Sequence, residues 1–260
     1  MINNTTKPQV IKTILWDTIQ QMKDYKISLV IPAHNEEKYI GECLDSAIKN
    51  SGGKFFEIIV VNNFSTDKTE QVARSRKGVI VINHDKQGVT LARNRGFQES
   101  KGNLIAYIDA DNKIPEGWCE AVIKEFTDNP DLVLLSGPYI YYDLDKFQHF
   151  LSKIYWYLAM PFYWTIGYMA IGGNMVIKRE TLQKMNGWDE SIVFYGDDTD
   201  IARRAGKFGK TKFKLGFTVY SSARRFSGEG LAKTAINYIL NFFSEVFLHR
   251  PISNKYKGFR

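Results

Sequence analysis

The sequence predicts an α/β fold in which a mostly parallel central sheet is flanked by helices. Short apolar runs rich in β-branched residues alternate with longer stretches of helical periodicity, an order typical of βαβ units. The run Ile58-Ile59-Val60-Val61 is apolar without interruption, which indicates a strand covered on both faces of its sheet. Ligands of such sheets bind beyond the carboxyl ends of the strands, so the polar residues after each apolar run are the first to consider.

The predicted elements follow one another regularly along the chain. We expect strands at residues 27–31, 57–62, 78–82, 104–108, 132–136 and 215–220. We expect helices at residues 36–50, 67–76, 88–101 and 116–128. Because each helix joins two successive strands, the first five strands should run parallel.

Polar clusters follow three of these strands, at residues 32–36, 62–67 and 109–112. Each could be ordinary turn and capping chemistry, but three clusters at one sheet edge indicate a site. The third contains Asp109 and Asp111, and two close carboxylates repel each other unless a cation lies beside them. A hard divalent ion that also binds phosphate oxygens would resolve this repulsion. The sequence lacks both the P-loop pattern and the dinucleotide-binding glycine pattern.

Composition limits the class of protein. The chain has 260 residues, of which 44% are hydrophobic and 24% charged, which is typical of a globular domain. Cys43 and Cys119 are far apart, so a disulfide framework and a zinc site are not expected and a reducing compartment fits. Residues 1–8 are polar and lack the apolar centre of a signal peptide. We therefore expect a cytoplasmic protein, either free or peripheral on the inner face of the membrane.

Six segments in a characteristic order resemble the family-2 glycosyltransferases of the GT-A fold. They are residues 28–37, 58–67, 92–96, 106–111, 172–174 and 196–204, and the resemblance extends over roughly residues 26–226. It implies a Rossmann-like GT-A domain, a nucleotide-sugar donor, a Mn²⁺ or Mg²⁺ ion and inversion at the anomeric carbon. It also implies that residues 170–177 form a buried strand.

The resemblance implies roles for the donor-binding residues. Pro32, Ala33 and Glu36 would hold the nucleoside. Asn63 stands where the family usually has an aspartate that contacts the base, which leaves a UDP-linked and a GDP-linked donor both open. The remaining donor residues would be Arg93, Asp109 in the ribose or metal region, and Asp111 as ligand of the metal ion beside the diphosphate. Arg93 could instead be an ordinary arginine on a helix surface.

The acidic segment that starts at Gly196 resembles the family's acceptor motif. Asp197 replaces the usual glutamate, and Asp198 takes the position of the general base. An acceptor hydroxyl is a poor nucleophile until a nearby carboxylate takes its proton. These aspartates would also suit the first turn of a helix, where the dipole favours negative charge. Acceptor binding is assigned to Gly173, Asn174 and Trp188.

Arg224 and Arg225 follow the strand expected at 215–220, and arginine pairs match phosphate geometry well. We expect one of them to reach the diphosphate of the donor, the alternative being plain surface charge. Residues 224–260 hold seven Lys or Arg and two Glu, a net charge of +5 out of +7 for the whole chain. Such a basic tail indicates an anionic partner.

Two apolar stretches raise the question of a membrane. Residues 154–177 carry no charge, but we expect no span, because Asp111 and Asp198 flank the stretch and must share one side. Its aromatic part, residues 155–164, suits an acceptor groove, a lipid interface or core packing. Residues 231–248 form a second stretch with a polar stripe of Lys233, Asn237, Asn241 and Glu245, which suits a helix lying on an anionic membrane or docked on the domain.

The sequence therefore predicts a helical N-terminal extension (1–25), a catalytic domain with a donor half (26–112) and an acceptor half (113–226), and an amphipathic helix with a basic tail (227–260). The predicted function is transfer of a sugar to a hydroxyl acceptor, either lipid-linked or a glycan, in the synthesis of cell-surface polysaccharide or glycolipid. One alternative is a nucleotidyltransferase, which would typically carry a glycine-rich loop that residues 32–37 lack. Another is a basic nucleic-acid-binding protein, but the acidic clusters argue against nucleic acid as a partner.

Overall fold

The computed structural model describes residues 25–192, 195–224 and 231–248. The predicted N-terminal helix, Arg225 and the basic tail after residue 248 lie outside these ranges, apart from Tyr25 at the end of the N-terminal extension. No described helix is long and apolar enough to cross a membrane.

Nine strands form two sheets. In chain order they are β1 (Ile27–Ala33), β2 (Phe55–Asn63), β3 (Val79–His84), β4 (Leu104–Ile108), β5 (Leu132–Ser136), β6 (Tyr139–Tyr141), β7 (Asn174–Lys178), β8 (Lys210–Phe213) and β9 (Val219–Ser221). The central sheet has seven strands in the order β3-β2-β1-β4-β7-β5-β8, and β6 pairs with β9 in a small second sheet. Only β7 runs antiparallel to its neighbours in the central sheet. The predicted mostly parallel sheet is confirmed.

Eight helices lie in the described ranges: α1 (Ile40–Asn50), α2 (Thr69–Arg74), α3 (Val89–Glu99), α4 (Trp118–Asp128), α5 (Lys146–Ile166), α6 (Arg179–Lys184), α7 (Asp197–Ala205) and α8 (Leu231–Leu248). The helices expected from residues 36 and 67 begin at Ile40 and Thr69 instead, because the residues before them form a loop that is held by its own hydrogen bonds. Asn35 has a left-handed φ of 54°, and its side chain accepts a hydrogen bond from the backbone N–H of Thr66 at 2.7 Å. The loops after β1 and β2 are thereby joined at the sheet edge.

Both faces of the central sheet are covered. On β1, Leu29 and Ile31 pack in one apolar cluster with Leu44 of α1, whereas Val30 packs in the opposite cluster with Ala92 of α3. Burying each of the Leu, Ile and Val side chains contributes about 1.5–3 kcal/mol. A Cβ added at Gly96 of α3 would overlap Val30, so this glycine lets α3 lie close against the sheet. That close approach positions the preceding turn of α3, which carries Arg93.

The aromatic stretch at 155–164 lies in the second half of α5. Asp145 caps the N-terminus of this helix and forms a capping box with Gln148. The Tyr163 hydroxyl donates to the backbone carbonyl of Thr211 at 3.2 Å. None of the residues of α5 is fully buried. The stretch is therefore not part of the core, and the core-packing interpretation is wrong.

Helix α8 docks on the catalytic domain. Its Phe243 ring meets Phe162 of α5 edge-on, with 5.6 Å between ring centroids. Arg203 of α7 lies 3.4 Å from the buried Glu245 carboxylate. The sequence allowed a helix docked on the domain or one lying on an anionic membrane. The structure shows α8 docked on the domain, and this docking does not decide whether its outer side contacts a membrane.

Candidate active site

A cavity of about 1010 Å³ lies beyond the carboxyl ends of β1, β2 and β4. Within the described part of the chain, it brings together every predicted site residue except Asn174 and Trp188. Those that line it are Pro32, Ala33, Glu36, Asn63, Arg93, Asp109, Asp111, Gly173, Asp197, Asp198 and Arg224. Asp111 and Asp198, which are far apart in the sequence, thus face one space.

Arg93 connects the two halves of this cavity. Its guanidinium donates to Asp197 and to Oδ1 of Asp109 at 3.2 Å, and it lies 4.6 Å from the ring centroid of Trp188. The residue is only 4% exposed, so it is not an ordinary surface arginine. Removing either partner of a buried ion pair leaves an uncompensated charge, and Arg93 therefore holds Asp109 and Asp197 in a defined relation.

Two glycines let the segment before β7 approach these charged groups. A Cβ at Gly172 would lie 2.7 Å from the Arg93 guanidinium, and one at Gly173 would overlap both the Asp109 carboxylate and the Tyr139 hydroxyl. Tyr139 donates to Oδ2 of Asp109 at 2.9 Å. Tyr139 was not predicted as part of the site, because a tyrosine in a three-residue strand carries no local signal of a role in the cavity.

Asp198 lies in the first turn of α7, where its Oδ1 accepts a hydrogen bond from the backbone N–H of Thr199 at 2.9 Å. Burial, and then the neighbouring Asp197 carboxylate, raise the pKa of Asp198 to about 7. Burial also raises the pKa of Asp197, but the Arg93 guanidinium opposes that shift. A carboxyl group with a pKa near neutrality is well matched to taking a proton at neutral pH. Asp197 is the partner of Arg93, and Asp198 is the carboxyl group whose pKa lies near neutrality.

Arg224 lies between the loops after β1 and β4. It forms a bidentate pair with Glu36, both N–O distances being 2.7 Å, and its Nε is 3.1 Å from Asp111. Its guanidinium also lies 4.5 Å from the ring centroid of Tyr39. Arg224 is thus a cation of the cavity wall, and the interpretation as plain surface charge is wrong.

The residues present fit a divalent cation. The cavity wall carries two guanidinium groups, from Arg93 and Arg224, and five carboxyl groups, from Glu36, Asp109, Asp111, Asp197 and Asp198. Oxygen ligands of this kind suit Mg²⁺ and Mn²⁺. Among the described residues, no group of three or more His, Cys, Asp or Glu side chains could hold a metal ion by itself. The ion would therefore take its other ligands from the diphosphate and water, as Mg²⁺ usually does at phosphate sites.

Asn174 and Trp188, assigned to acceptor binding from the sequence, do not line the cavity. Asn174 is fully buried, and its amide donates to the backbone carbonyls of Gly137 at 3.0 Å and Phe217 at 2.8 Å. Trp188 is held by its backbone, whose N–H donates to Asn94 at 2.8 Å. The Asn174 amide therefore stabilises the backbone beneath the cavity. The Trp188 ring packs against the Arg93 guanidinium.

Comparison with known proteins agrees with this geometry. A sequence model of the family described as "Glycosyl transferase family 2" matches residues 28–185, which is more than half of the chain. The glycosyltransferase GlyA of Streptococcus pneumoniae is 31% identical over 109 residues, covering 40% of this chain and 16% of GlyA. The match spans about a third or less of the length of GlyA and of two other curated glycosyltransferases that resemble this chain.

Solved structures share the fold. The mannosyltransferase PcManGT of Pyrobaculum calidifontis, in complex with GDP-Man and Mn²⁺, superposes with a TM-score of 0.66 at 15% identity, covering 90% of this chain and 70% of its own. Glucosyl-3-phosphoglycerate synthase of Mycobacterium tuberculosis, in complex with Mn²⁺, UDP-Glc and phosphoglyceric acid, superposes with a TM-score of 0.63 at 20% identity, covering 89% and 83%. At these identities the likeness shows the fold alone, and the predicted GT-A fold is confirmed.

Proposed function

Because this chain belongs to glycosyltransferase family 2, we propose that it transfers a sugar from a UDP- or GDP-linked donor to a hydroxyl acceptor, with inversion at the anomeric carbon. One observation carries the proposal: the carboxylates of Asp111 and Asp198 line the same cavity. Arg93 joins the two sides of that cavity through Asp109 and Asp197. Donor and acceptor can therefore meet between a cation-binding wall and a proton acceptor.

The nucleoside of the donor would lie against Pro32, Ala33, Glu36 and Asn63. The Asn63 amide donates through Nδ2 to the backbone carbonyl of Gly88 at 3.0 Å, and its buried Oδ1 has no hydrogen-bond partner among the described residues. A buried acceptor without a partner is costly, and a ring N–H of the base would satisfy it. Uracil and guanine both present such a donor. Asn63 therefore supports base binding and admits either nucleotide.

The diphosphate would lie beside Asp111, Asp109 and Arg224. These residues would hold Mn²⁺ or Mg²⁺ together with the phosphate oxygens, and the bound ion would neutralise charge on the leaving nucleoside diphosphate. Arg224 can supply positive charge to the same oxygens from the wall, since its guanidinium already contacts Asp111. Fixed cations that face a developing charge in a water-poor site are an effective way to stabilise a transition state.

Asp198 would take the proton of the acceptor hydroxyl as its oxygen attacks the anomeric carbon. The bond from that carbon to the diphosphate oxygen breaks in the same step, so the configuration inverts. This displacement needs one base and no nucleophile from the protein, which suits a single carboxylate whose pKa is near neutrality. Asp197 remains paired with Arg93 and acts as a positioning residue.

The acceptor would be a hydroxyl group of a glycan or of a lipid-linked molecule, and the product would contribute to cell-surface polysaccharide or glycolipid. We place the reaction in the cytoplasm, with the segment 231–260 as the part that contacts the inner face of the membrane. The acidic wall of the cavity would repel a polynucleotide backbone, so nucleic acid is not proposed as a partner.

A thermal-shift screen of nucleotides tests donor binding. We expect UDP or GDP to raise the melting temperature of the protein, with a larger rise when Mn²⁺ is present. CMP, which lacks both the ring N–H and the diphosphate, should have a smaller effect, and TDP, which shares both groups with UDP, serves as a comparison. The metal should add to the shift because it screens the diphosphate from the carboxylates of the cavity. If none of the four nucleotides stabilised the protein, with or without Mn²⁺, the proposed function would be wrong.

A further inference from the structure

Helices α5 and α8 pack against each other at one end of the active-site cavity. Phe162 of α5 meets Phe243 of α8, and Phe243 stacks in turn on Phe247 with 6.1 Å between centroids. We call the outward side of these two helices the α5–α8 face. The exposed side chains of the two helices determine whether this face is polar or apolar.

In the part of α8 whose side chains are described, residues 240–248, the polar residues are buried and the exposed residues are apolar. Glu245 is 0% exposed and Asn241 and Ser244 are also buried, whereas Phe247 is 72% exposed and Leu248 is largely exposed. Sequence periodicity alone would turn the polar stripe toward water. Here its described part packs against the protein near Arg203 of α7. The surface left for the surroundings is therefore largely hydrocarbon and aromatic.

Helix α5 extends this apolar surface. Its exposed large side chains that lie outside the cavity are Phe147, Phe150, Ile154, Tyr157 and Trp164. The helix contains Lys146 and Lys153 but no Asp or Glu. An exposed apolar patch of this extent, edged by positive charge, marks an interaction surface.

The inner side of the two helices leads to the reacting groups. Leu151, Leu158 and Phe162 of α5 and Phe242 and Phe243 of α8 line the same cavity as Asp198. A sugar diphosphate needs polar and cationic partners, which the other end of the cavity supplies. The donor has no apolar group that would bind at this apolar end of the cavity. The hydrocarbon part of an acceptor would fit there.

We propose that the α5–α8 face docks on an anionic lipid bilayer, and that the apolar end of the cavity lined by both helices, here called the groove, admits the hydrocarbon chain of a lipid-linked acceptor. The inference rests on the proposed function, and it selects the lipid-linked acceptor over a free glycan.

The basic residues after α8 and the exposed aromatic residues of α5 favour an anionic bilayer as the partner of this face. The segment that follows α8 carries Arg250, Lys255, Lys257 and Arg260 and no acidic residue, and each Lys or Arg near an anionic leaflet contributes about 1 kcal/mol to binding. Exposed Trp and Tyr, as on α5, favour the headgroup region. The same two helices form this face and line the cavity. An amphiphile in a bilayer bound to the face could therefore enter the cavity directly.

Vesicle flotation of the full chain tests the docking. With vesicles of equal parts phosphatidylglycerol and phosphatidylcholine, we expect the wild type to float, and to float much less with phosphatidylcholine alone. The double variant Trp164→Ser/Phe247→Ser should bind the anionic vesicles at least about tenfold more weakly, since two large apolar side chains are lost from the interface. Neither residue lines the cavity.

The matched control is Phe56→Ser/Phe208→Ser, which removes two exposed aromatic side chains from elsewhere on the domain; Phe56 is 49% exposed. It should float like the wild type. Equal flotation of the two double variants would overturn the docking. Stabilisation by nucleotide and Mn²⁺ should be the same in all of these proteins, so a failure to dock is distinguishable from a failure of donor binding.

Alkyl glucosides below their micelle concentrations test the groove. Trp156 lines the cavity, so tryptophan fluorescence can report binding. We expect octyl glucoside to bind at least about tenfold more tightly than methyl glucoside, because each buried methylene favours binding about fourfold. Phe243→Ser should reduce this chain-length preference, and Phe56→Ser should retain it. Equal affinity for the two glucosides, or a preference unchanged in Phe243→Ser, would exclude the groove as a chain-binding site.

Discussion

Asp198→Asn should lower the rate of sugar transfer by about 10²–10⁴-fold, the usual contribution of a general base, while donor binding stays at the wild-type level. The amide has nearly the shape of the carboxyl group and can still accept the hydrogen bond from the backbone of Thr199, but it cannot take the acceptor's proton. Transfer assays and nucleotide thermal shifts on the same preparations measure the two effects separately.

The dependence of the rate on pH gives a second readout of Asp198. Its pKa is raised to about 7, and only the deprotonated form can act as a base. The transfer rate of the wild type should therefore rise as the pH increases through about 7 and fall on the acid side. Asp128→Asn makes the same chemical change at an exposed site on α4 and should leave the rate and its pH profile unchanged. Undiminished transfer by Asp198→Asn would remove this residue from the role of base.

Asp111→Asn should abolish the part of the thermal shift that depends on Mn²⁺ and should lower transfer by about 10²-fold or more, equivalent to about 2.7 kcal/mol of transition-state stabilisation. An amide oxygen is a weaker ligand for a divalent ion than a carboxylate. Arg224 stays anchored, because its bidentate pair with Glu36 is independent of Asp111. The local structure should therefore persist.

Asp128→Asn again serves as the control and should keep the full effect of Mn²⁺. If Mn²⁺ increased the nucleotide-induced thermal shift of Asp111→Asn as much as that of the wild type, Asp111 would be excluded as a metal ligand. A loss of melting temperature in the absence of nucleotide would instead show that Asp111 holds the cavity together, through its contact with Arg224.

Periodicity indicated β1 to β5 of the central sheet but not β8 at its edge, and β7 was expected only from the family resemblance. The runs that became β1, β2, β4 and β5 are mostly apolar where they are buried, so local pattern alone indicates them. β8 has the polar sequence Lys-Thr-Lys-Phe and was not predicted as a strand. It forms because it pairs with β5, which is a tertiary context that overrides local preference.

Side-chain direction limited the prediction of the site. Asn174 and Trp188 were assigned to acceptor binding, but local sequence could not show that Asn174 turns toward the carbonyls of Gly137 and Phe217. Arg93 has helical surroundings that fit a surface residue equally well, and its burial depends on Asp197, which is 104 positions away in the chain. Local sequence does not encode such pairings.

The same limit applies to α8. Its amphipathic period was predicted, and its boundaries agree with the structure. Which face turns inward depends on partners elsewhere, above all on Arg203, which contacts Glu245 from α7. A polar stripe can be buried when the protein supplies complementary groups, and the apolar face is then left for the surroundings.

A crystal structure of Asp198→Asn with Mn²⁺ and the intact nucleotide-sugar, chosen from the nucleotide that stabilises best, tests the shared cavity most directly. Anomalous scattering locates the manganese. We predict the ion bound to Asp111 and to the diphosphate, with the anomeric carbon of the sugar turned toward residue 198. A manganese ion or a sugar bound outside this cavity, or an anomeric carbon facing away from residue 198, would contradict the account.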